Sequence, residues 1–396
     1  MMALIALCAS AHARLSPLAP APDWSRLDAF QETMTKEDFR ALLNRVYAPG
    51  GAWTDFISLD GGGATIRRSP GRNPYHLKFA PDAASSKRPP VYWRPRAAIP
   101  APGPGKPLAG LKIALDPGHI GGNWAKMEER WFRVGSSAPV TEGDMTLRVA
   151  KLLVPRLQAL GAEVFLTRSK SAPVTGARPS QLRGAAVESL KQKGDAATKA
   201  AVTKESERLF YRTSEIRRRA RLVNEAIRPD VVLCLHFNAE DWGNEKTPRL
   251  VNENHLHFLI SGSMTREELS CDDQRLEMLV KLLDRSFAEE LPLTNAMSGT
   301  MARATGLPPY NYQGGRVARV NDNPYVWARN LLANRLFTCP VVYIEPYVMN
   351  SRAVFSRIQA GDYDGRRKFG GIARKSIYRE YADAVTDGLV KYYSTR

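Results

Sequence analysis

Lys112-Ile113-Ala114-Leu115-Asp116-Pro117-Gly118-His119 is the stretch on which the fold reading turns. An apolar run of strand length ends in an acid and a Pro-Gly turn, and a histidine follows at once. That is the signature of a buried strand whose carboxyl end delivers polar groups. Downstream, Glu142 to Leu160 has a helical pattern, with Met145, Val149, Leu152, Leu153 and Leu157 on one face and Pro155 predicting a kink or an earlier end. Gly161 leads into a strand at Glu163-Val164-Phe165-Leu166-Thr167. A long helix is expected over Glu205 to Ile227, then a strand at Asp230-Val231-Val232-Leu233-Cys234-Leu235-His236. Further strands fall at His255-Leu256-His257-Phe258-Leu259-Ile260 and Pro340-Val341-Val342-Tyr343-Ile344-Glu345. Helices are expected over Asp272 to Leu291 and Ile377 to Tyr392. Strands alternating with helices predict an α/β fold, a three-layer open sheet flanked by helices on both faces.

Around this core the chain divides into four parts. Residues 1–13 hold a short apolar run closed by Ala11-His12-Ala13, the small-x-small pattern of a signal-peptide cleavage site, although no Lys or Arg precedes the run. Residues 14–84 form a small N-terminal appendage; Thr35 caps a helix carrying Phe39, Leu42, Leu43 and Val46, and Phe56-Ile57-Ser58-Leu59 is a short strand. Residues 85–110 are rich in Pro, Arg and Ala and read as a linker or an extended arm. Residues 111–396 are expected to form the main domain, with a polar, Ala- and Lys-rich insertion at about 169–204. That insertion reads equally as a lid, a regulatory helix, a partner-binding arm or a tolerated surface loop.

Composition narrows the classes. With 43% hydrophobic residues in 396, the chain can bury a large core. No internal repeat is visible, and no run beyond the first residues is apolar enough to span a bilayer. The net charge of +17 favours a polyanionic partner. Nucleic acid is one candidate and an anionic cell wall or membrane surface the other, beside the plain reading that basic residues keep the chain soluble. Charge alone does not choose, and no zinc finger, RNA-recognition signature or basic zipper is present to favour nucleic acid. The run Arg212, Arg217, Arg218, Arg219, Arg221 reads as a solvated helix face. Without Cys8 the cysteines are Cys234, Cys271 and Cys339, an odd set that excludes a closed disulfide framework and suits buried thiols.

Three strand ends carry chemistry: Asp116 to His119, His236 and Glu345. Glu142 opens a helix after a loop and can reach the same rim, since functional groups in open α/β sheets gather at the carboxyl ends of strands. Each residue alone has an ordinary structural role; together His119, Glu142 and His236 supply two imidazoles and a carboxylate. That donor set suits a catalytic zinc ion, which keeps a fourth position open, with Glu345 as the spare carboxylate. Glu128 and Glu129 lie within the 23-residue gap between His119 and Glu142 and are rival ligands. His255 and His257 alternate on one strand face, as a second metal pair or a groove lining. Tyr310-Asn311-Tyr312 is a candidate sugar contact, and Gly121-Gly122 predicts a tight backbone turn beside the site.

The segment Lys112 to His119 resembles the opening motif of the zinc-dependent N-acetylmuramoyl-L-alanine amidases of the amidase-3 type. The resemblance continues through Glu142-Gly143-Asp144-Met145-Thr146-Leu147-Arg148-Val149-Ala150, Val164 to Arg168, Leu235-His236-Phe237-Asn238-Ala239 and Val342-Tyr343-Ile344-Glu345, with Asn350-Ser351 after it. It implies zinc held by His119, Glu142 and His236, with Glu345 as the catalytic carboxylate. It further implies hydrolysis of the amide between N-acetylmuramic acid and L-alanine in peptidoglycan, in a periplasmic or secreted protein. A protein activator is a candidate partner, and a zinc peptidase or a catalytically silent wall-binding protein are the alternatives. The 23-residue gap between the first two ligands and the insertion at 169–204 are departures from the family pattern.

Overall fold

The computed structural model describes residues 14–69, 71–244 and 247–394. The expected signal segment, 1–13 with Cys8, lies outside the described residues. Two compact units are present: residues through Pro90 together with Met264–Asp284, and Val91–Ser263 together with Arg285–Arg396.

In the first unit, Thr35 caps the helix Lys36–Leu42 by accepting the backbone N–H of Asp38 at 3.2 Å. An antiparallel sheet joins Ile57–Leu59, Gly63–Ile66 and Tyr75–Lys78. The helix Asp272–Leu283 completes this unit, burying Leu276, Met278, Leu279, Leu282 and Leu283. The sequence pattern places this helix in the main domain and predicts it to run on to Leu291; the structure differs on both counts. The helix stops at Leu283 because Arg285 adopts φ +60°, a left-handed conformation that no helix continues through.

The second unit holds the sheet. In chain order its strands are β1 (Lys112–Pro117), β2 (Glu163–Leu166), β3 (Val231–Leu235), β4 (Leu256–Ser261), β5 (Val317–Arg319), β6 (Val326–Arg329) and β7 (Val341–Pro346). They lie side by side as β5-β6-β4-β7-β3-β1-β2. The four strands β7, β3, β1 and β2 are mutually parallel, whereas β4 pairs antiparallel with β7. Every residue of β3 is buried, as a strand covered on both faces requires.

Helices α1 (Glu142–Ala159), α2 (Arg183–Lys193), α3 (Lys199–Arg208), α4 (Glu215–Arg221), α5 (Phe287–Thr305) and α6 (Ile377–Tyr393) belong to this unit. On one face α1, α5 and α6 pack together; on the other, Ala220, Val223, Ile227 and Phe337 meet Ala114, Val232, Cys234 and Val341. The three-layer α/β expectation therefore holds. Trp93 joins the second of these clusters, and Arg94 pairs with the buried Asp230 at 2.6 Å, so Val91 onward packs on the domain. Helix α1 runs through Pro155 to Ala159 without ending. Within the expected insertion, α2 and α3 form a helical hairpin, and winding continues from Lys199 to Ile227 with two stretches of wider turns. Cys234, Cys271 and Cys339 are buried. Among the described residues no helix is long and apolar enough to cross a membrane.

Gly388 lets α6 and α5 approach closely: a β-carbon there would stand 2.9 Å from Cα of Met297. Alanine would gain about 1 kcal/mol in helix propensity, but overpacking against backbone costs roughly 1–3 kcal/mol. Gly388→Ala is expected to destabilise the protein by on the order of 1 kcal/mol in urea unfolding; a gain in stability would contradict this packing.

Candidate metal centre and groove

The site begins where β1 ends. Gly118 donates its N–H to Leu235 O at 2.9 Å and brings the chain against β3. A β-carbon at Gly118 would sit 2.2 Å from Cε1 of His236, so only glycine permits this approach. His119 then takes φ +59°, an uncommon conformation for a non-glycine residue. Two buried arginines hold it. Arg168 donates to the carbonyls of Pro117, Gly118 and Gly143 at 3.0, 3.0 and 2.6 Å. Arg219 donates to the carbonyls of Pro117 and His119, both at 2.8 Å, and pairs with Asp116 and Glu215 at 3.1 and 2.9 Å. Arg219 is therefore no part of a solvated helix face: it is 3% exposed, and the helix turns it inward to neutralise Asp116.

His119, Glu142 and His236 converge, each offering a ligand atom within 4.8 Å of the others. Glu142 is the first residue of α1, and its carboxylate lies between the rings, 3.1 Å from His119 Nε2 and 3.0 Å from His236 Nδ1. Phe237 N–H and Arg130 Nε also approach it, at 3.2 Å each. Although burial opposes its charge, His119 and His236 hold the Glu142 carboxyl well below the usual range. Burial likewise opposes a charged His119, yet Glu142 and Glu128 outweigh it and raise the imidazole to about 9. His236, stacked on Tyr343 at 4.3 Å, is lowered by burial. Two imidazoles and a carboxylate with anionic character, all lining one groove, fit a divalent metal.

The rivals fall away. Glu128 is buried and accepts the N–H groups of Ile120 and Gly121 at 2.9 and 3.0 Å, with Oε1 3.7 Å from His119 Nδ1. Its charge faces the Nδ1 side of the His119 ring, while Glu142 faces Nε2. Glu129 is 63% exposed and pairs with Lys204 at 3.4 Å. Gly121, at φ +77°, makes the expected tight turn; a β-carbon there would stand 2.7 Å from Asp144 N.

Glu345 lies on β7, between β3 with its His236 and β4 with its His257, and faces the same groove of about 970 Å³ as the trio. Burial, then the charge of Glu142, push its carboxyl up to about 8. Arg130, Trp242, Arg329 and Tyr343 also line this groove. Sequence reasoning assigned them no role, because they come from loops and sheet positions whose only signal is tertiary. His255 and His257 do share a face, with Tyr310 and Tyr312 over them at centroid distances of 4.3 and 5.1 Å. Among the described residues they belong to no cluster of three or more groups that could hold a metal ion.

Comparison with known proteins gives structural neighbours only. The N-acetylmuramyl-L-alanine amidase Ami1 of Mycobacterium abscessus aligns at 16% identity and TM-score 0.39, over 72% of this chain and 99% of that one. The catalytic domain of CwlV, an N-acetylmuramoyl-L-alanine amidase of Bacillus (Paenibacillus) polymyxa, aligns at 17% and 0.39, over 72% and 98%. The CwlD amidase of Clostridioides difficile, solved with the GerS lipoprotein, aligns at 13% and 0.39, over 72% and 100%. No protein-family model and no curated protein sequence matches the chain.

The raised carboxyl of Glu345 has a measurable consequence. A free glutamate ionises near about 4.3, so the metal-free folded state prefers the neutral acid. The stability this group contributes is therefore fully present below that value, falls as pH rises toward about 8, and is gone above it, leaving the rest of the fold's stability untouched. Metal-free Glu345→Gln should melt with the wild type at pH 4 and above it, by on the order of 4 °C, at pH 9. A gap that does not widen with pH would contradict the shift.

Proposed function

We propose that this chain hydrolyses the amide bond between N-acetylmuramic acid and the L-alanine of the stem peptide in peptidoglycan, with zinc as its metal. The observation that carries the reading is the convergence of His119, Glu142 and His236 beside Glu345 in one groove. A catalytically silent binder would have no need of the fourth, unliganded acid. The ordered motifs from Lys112 to Glu345, similar to those of amidase-3 enzymes, support the substrate class.

His119, Glu142 and His236 would hold the metal, and Glu128 would keep the His119 ring turned toward it. Bound zinc supplies Lewis acidity, polarising a carbonyl and lowering the pKa of water to about 7. Glu345, as carboxylate, takes a proton from the water that attacks the carbonyl carbon. The same acid then returns the proton to the amide nitrogen as the carbon–nitrogen bond breaks, freeing the alanine amine. One carboxyl that takes and returns the proton serves both steps, a contribution of about 10²–10⁴-fold. The groove of about 970 Å³ is large enough for sugar and peptide on either side of the bond. Such a substrate places the protein outside the cytoplasm, in a periplasm or secreted, and the net charge of +17 suits an anionic wall.

Digestion of purified sacculi by the zinc-loaded protein is expected to release stem peptides beginning with L-alanine and leave sugar strands free of peptide, read by mass spectrometry. Glu345→Ala should keep its zinc and lose at least about 10²-fold in turnover. Cleavage within the stem peptide would favour a peptidase, and full activity in the variant would remove Glu345 from the mechanism.

A further inference from the structure

A polar cluster on the β4 side of Glu345 has no task in the hydrolysis as written above. Antiparallel pairing of β4 with β7 sets His257 directly opposite Glu345. Directly opposed residues project from the same face, with β-carbons about 4.5–5.5 Å apart. His257, Tyr312 and Glu345 line one groove with His119 and His236.

Hydrogen bonding determines where each proton of this cluster resides. The Asn238 side-chain oxygen accepts the backbone N–H of Ala239 at 2.7 Å, which fixes the orientation of the amide. Its nitrogen therefore faces the rings, 3.2 Å from His255 Nδ1 and 3.5 Å from His257 Nδ1. An amide nitrogen only donates, so His257 Nδ1 accepts, and its neutral ring carries the hydrogen on Nε2. From there His257 donates to the Tyr312 hydroxyl oxygen at 2.8 Å, while His255 Nε2 lies 3.0 Å from Glu240 Oε1. A phenol that accepts from an imidazole keeps its own O–H for another partner. Burial, then the charge of Glu345, keep Tyr312 protonated, and burial with His255 and Arg329 nearby keeps His257 neutral.

We infer that Tyr312 points its O–H at the oxygen of the scissile carbonyl and stabilises the negative charge that gathers there, with His257 and Asn238 as positioning residues. This rests on the amide-hydrolysis reading. No proton leaves the tyrosine: its hydrogen bond strengthens as water adds to the carbonyl carbon and relaxes when the carbon–nitrogen bond breaks. A fixed donor aimed at developing charge acts mainly on kcat, by about 10²–10³-fold.

The test uses the full chain loaded with zinc and a soluble muropeptide. Tyr312→Phe should bind the same amount of zinc, lower kcat about 100-fold and leave KM within about threefold. His257→Gln, whose amide can still donate to the phenol, should retain more activity than His257→Leu. Nitrogen NMR of histidine-labelled protein should show His257 neutral and protonated on Nε2, a readout independent of turnover. Unchanged kcat in Tyr312→Phe, a loss confined to KM, or a His257 protonated on Nδ1 would each overturn this inference while leaving the hydrolase reading intact. A wild type that fails to cleave the muropeptide would overturn both together.

Discussion

A carboxylate buried between two imidazoles is the interaction on which this molecule is organised. Glu142 is 2% exposed, and an anion so placed is costly unless cations or donors surround it. His119, His236, Arg130 and the Phe237 amide provide that surround. Metal-free, the arrangement is an ion-pair cluster with a proton on His119; a divalent ion would take over the proton's electrostatic role. The helix start also helps, since α1 presents its N-terminus to the Glu142 carboxylate.

Everything nearby serves to hold that trio at short range. Arg168 and Arg219 are two buried cations sharing the carbonyls of one turn, each satisfied by several acceptors. Removing either would strand acceptors and, for Arg219, the buried carboxylates of Asp116 and Glu215; such losses cost about 3–5 kcal/mol. Gly118 sets the distance to His236, and Glu128, anchored by the N–H groups of Ile120 and Gly121, lies 3.7 Å from His119 Nδ1. The sheet then lays the remaining chemistry out in strand order: β1 and β3 bring the histidines, β7 the free acid, β4 the neutral His257.

Much of this was legible in the chain. Strand ends are readable because an apolar run followed by a turn can only place its next polar residue at a sheet edge, and this located His119, His236 and Glu345. Preferring Glu142 to Glu128 depends on resemblance: the apolar pattern after Glu142 is the one that matches the amidase-3 motif. The role of Glu128 was hidden, since accepting backbone N–H groups leaves no trace in residue spacing. Arg219 was misread for a related reason: its helix has arginines all round, and only the position of Asp116 decides which one turns inward. Strands β5 and β6 were not anticipated. They span three and four residues, and their hairpin is built by side-chain turns in which Asn321 and Asn323 accept the N–H groups of Asn323 and Tyr325. The helix from Asp272 was foreseen, but its membership of the first unit depends on partners far away in sequence.

The most direct test of the account is zinc-edge anomalous diffraction from crystals of the zinc-loaded protein. The account predicts one ion bound by nitrogens of His119 and His236 and a carboxylate oxygen of Glu142, at about 2.0–2.2 Å each, with the Glu345 carboxylate nearby and not ligating. An ion bound instead at His255 and His257, or no ordered zinc at saturating concentration, would contradict it.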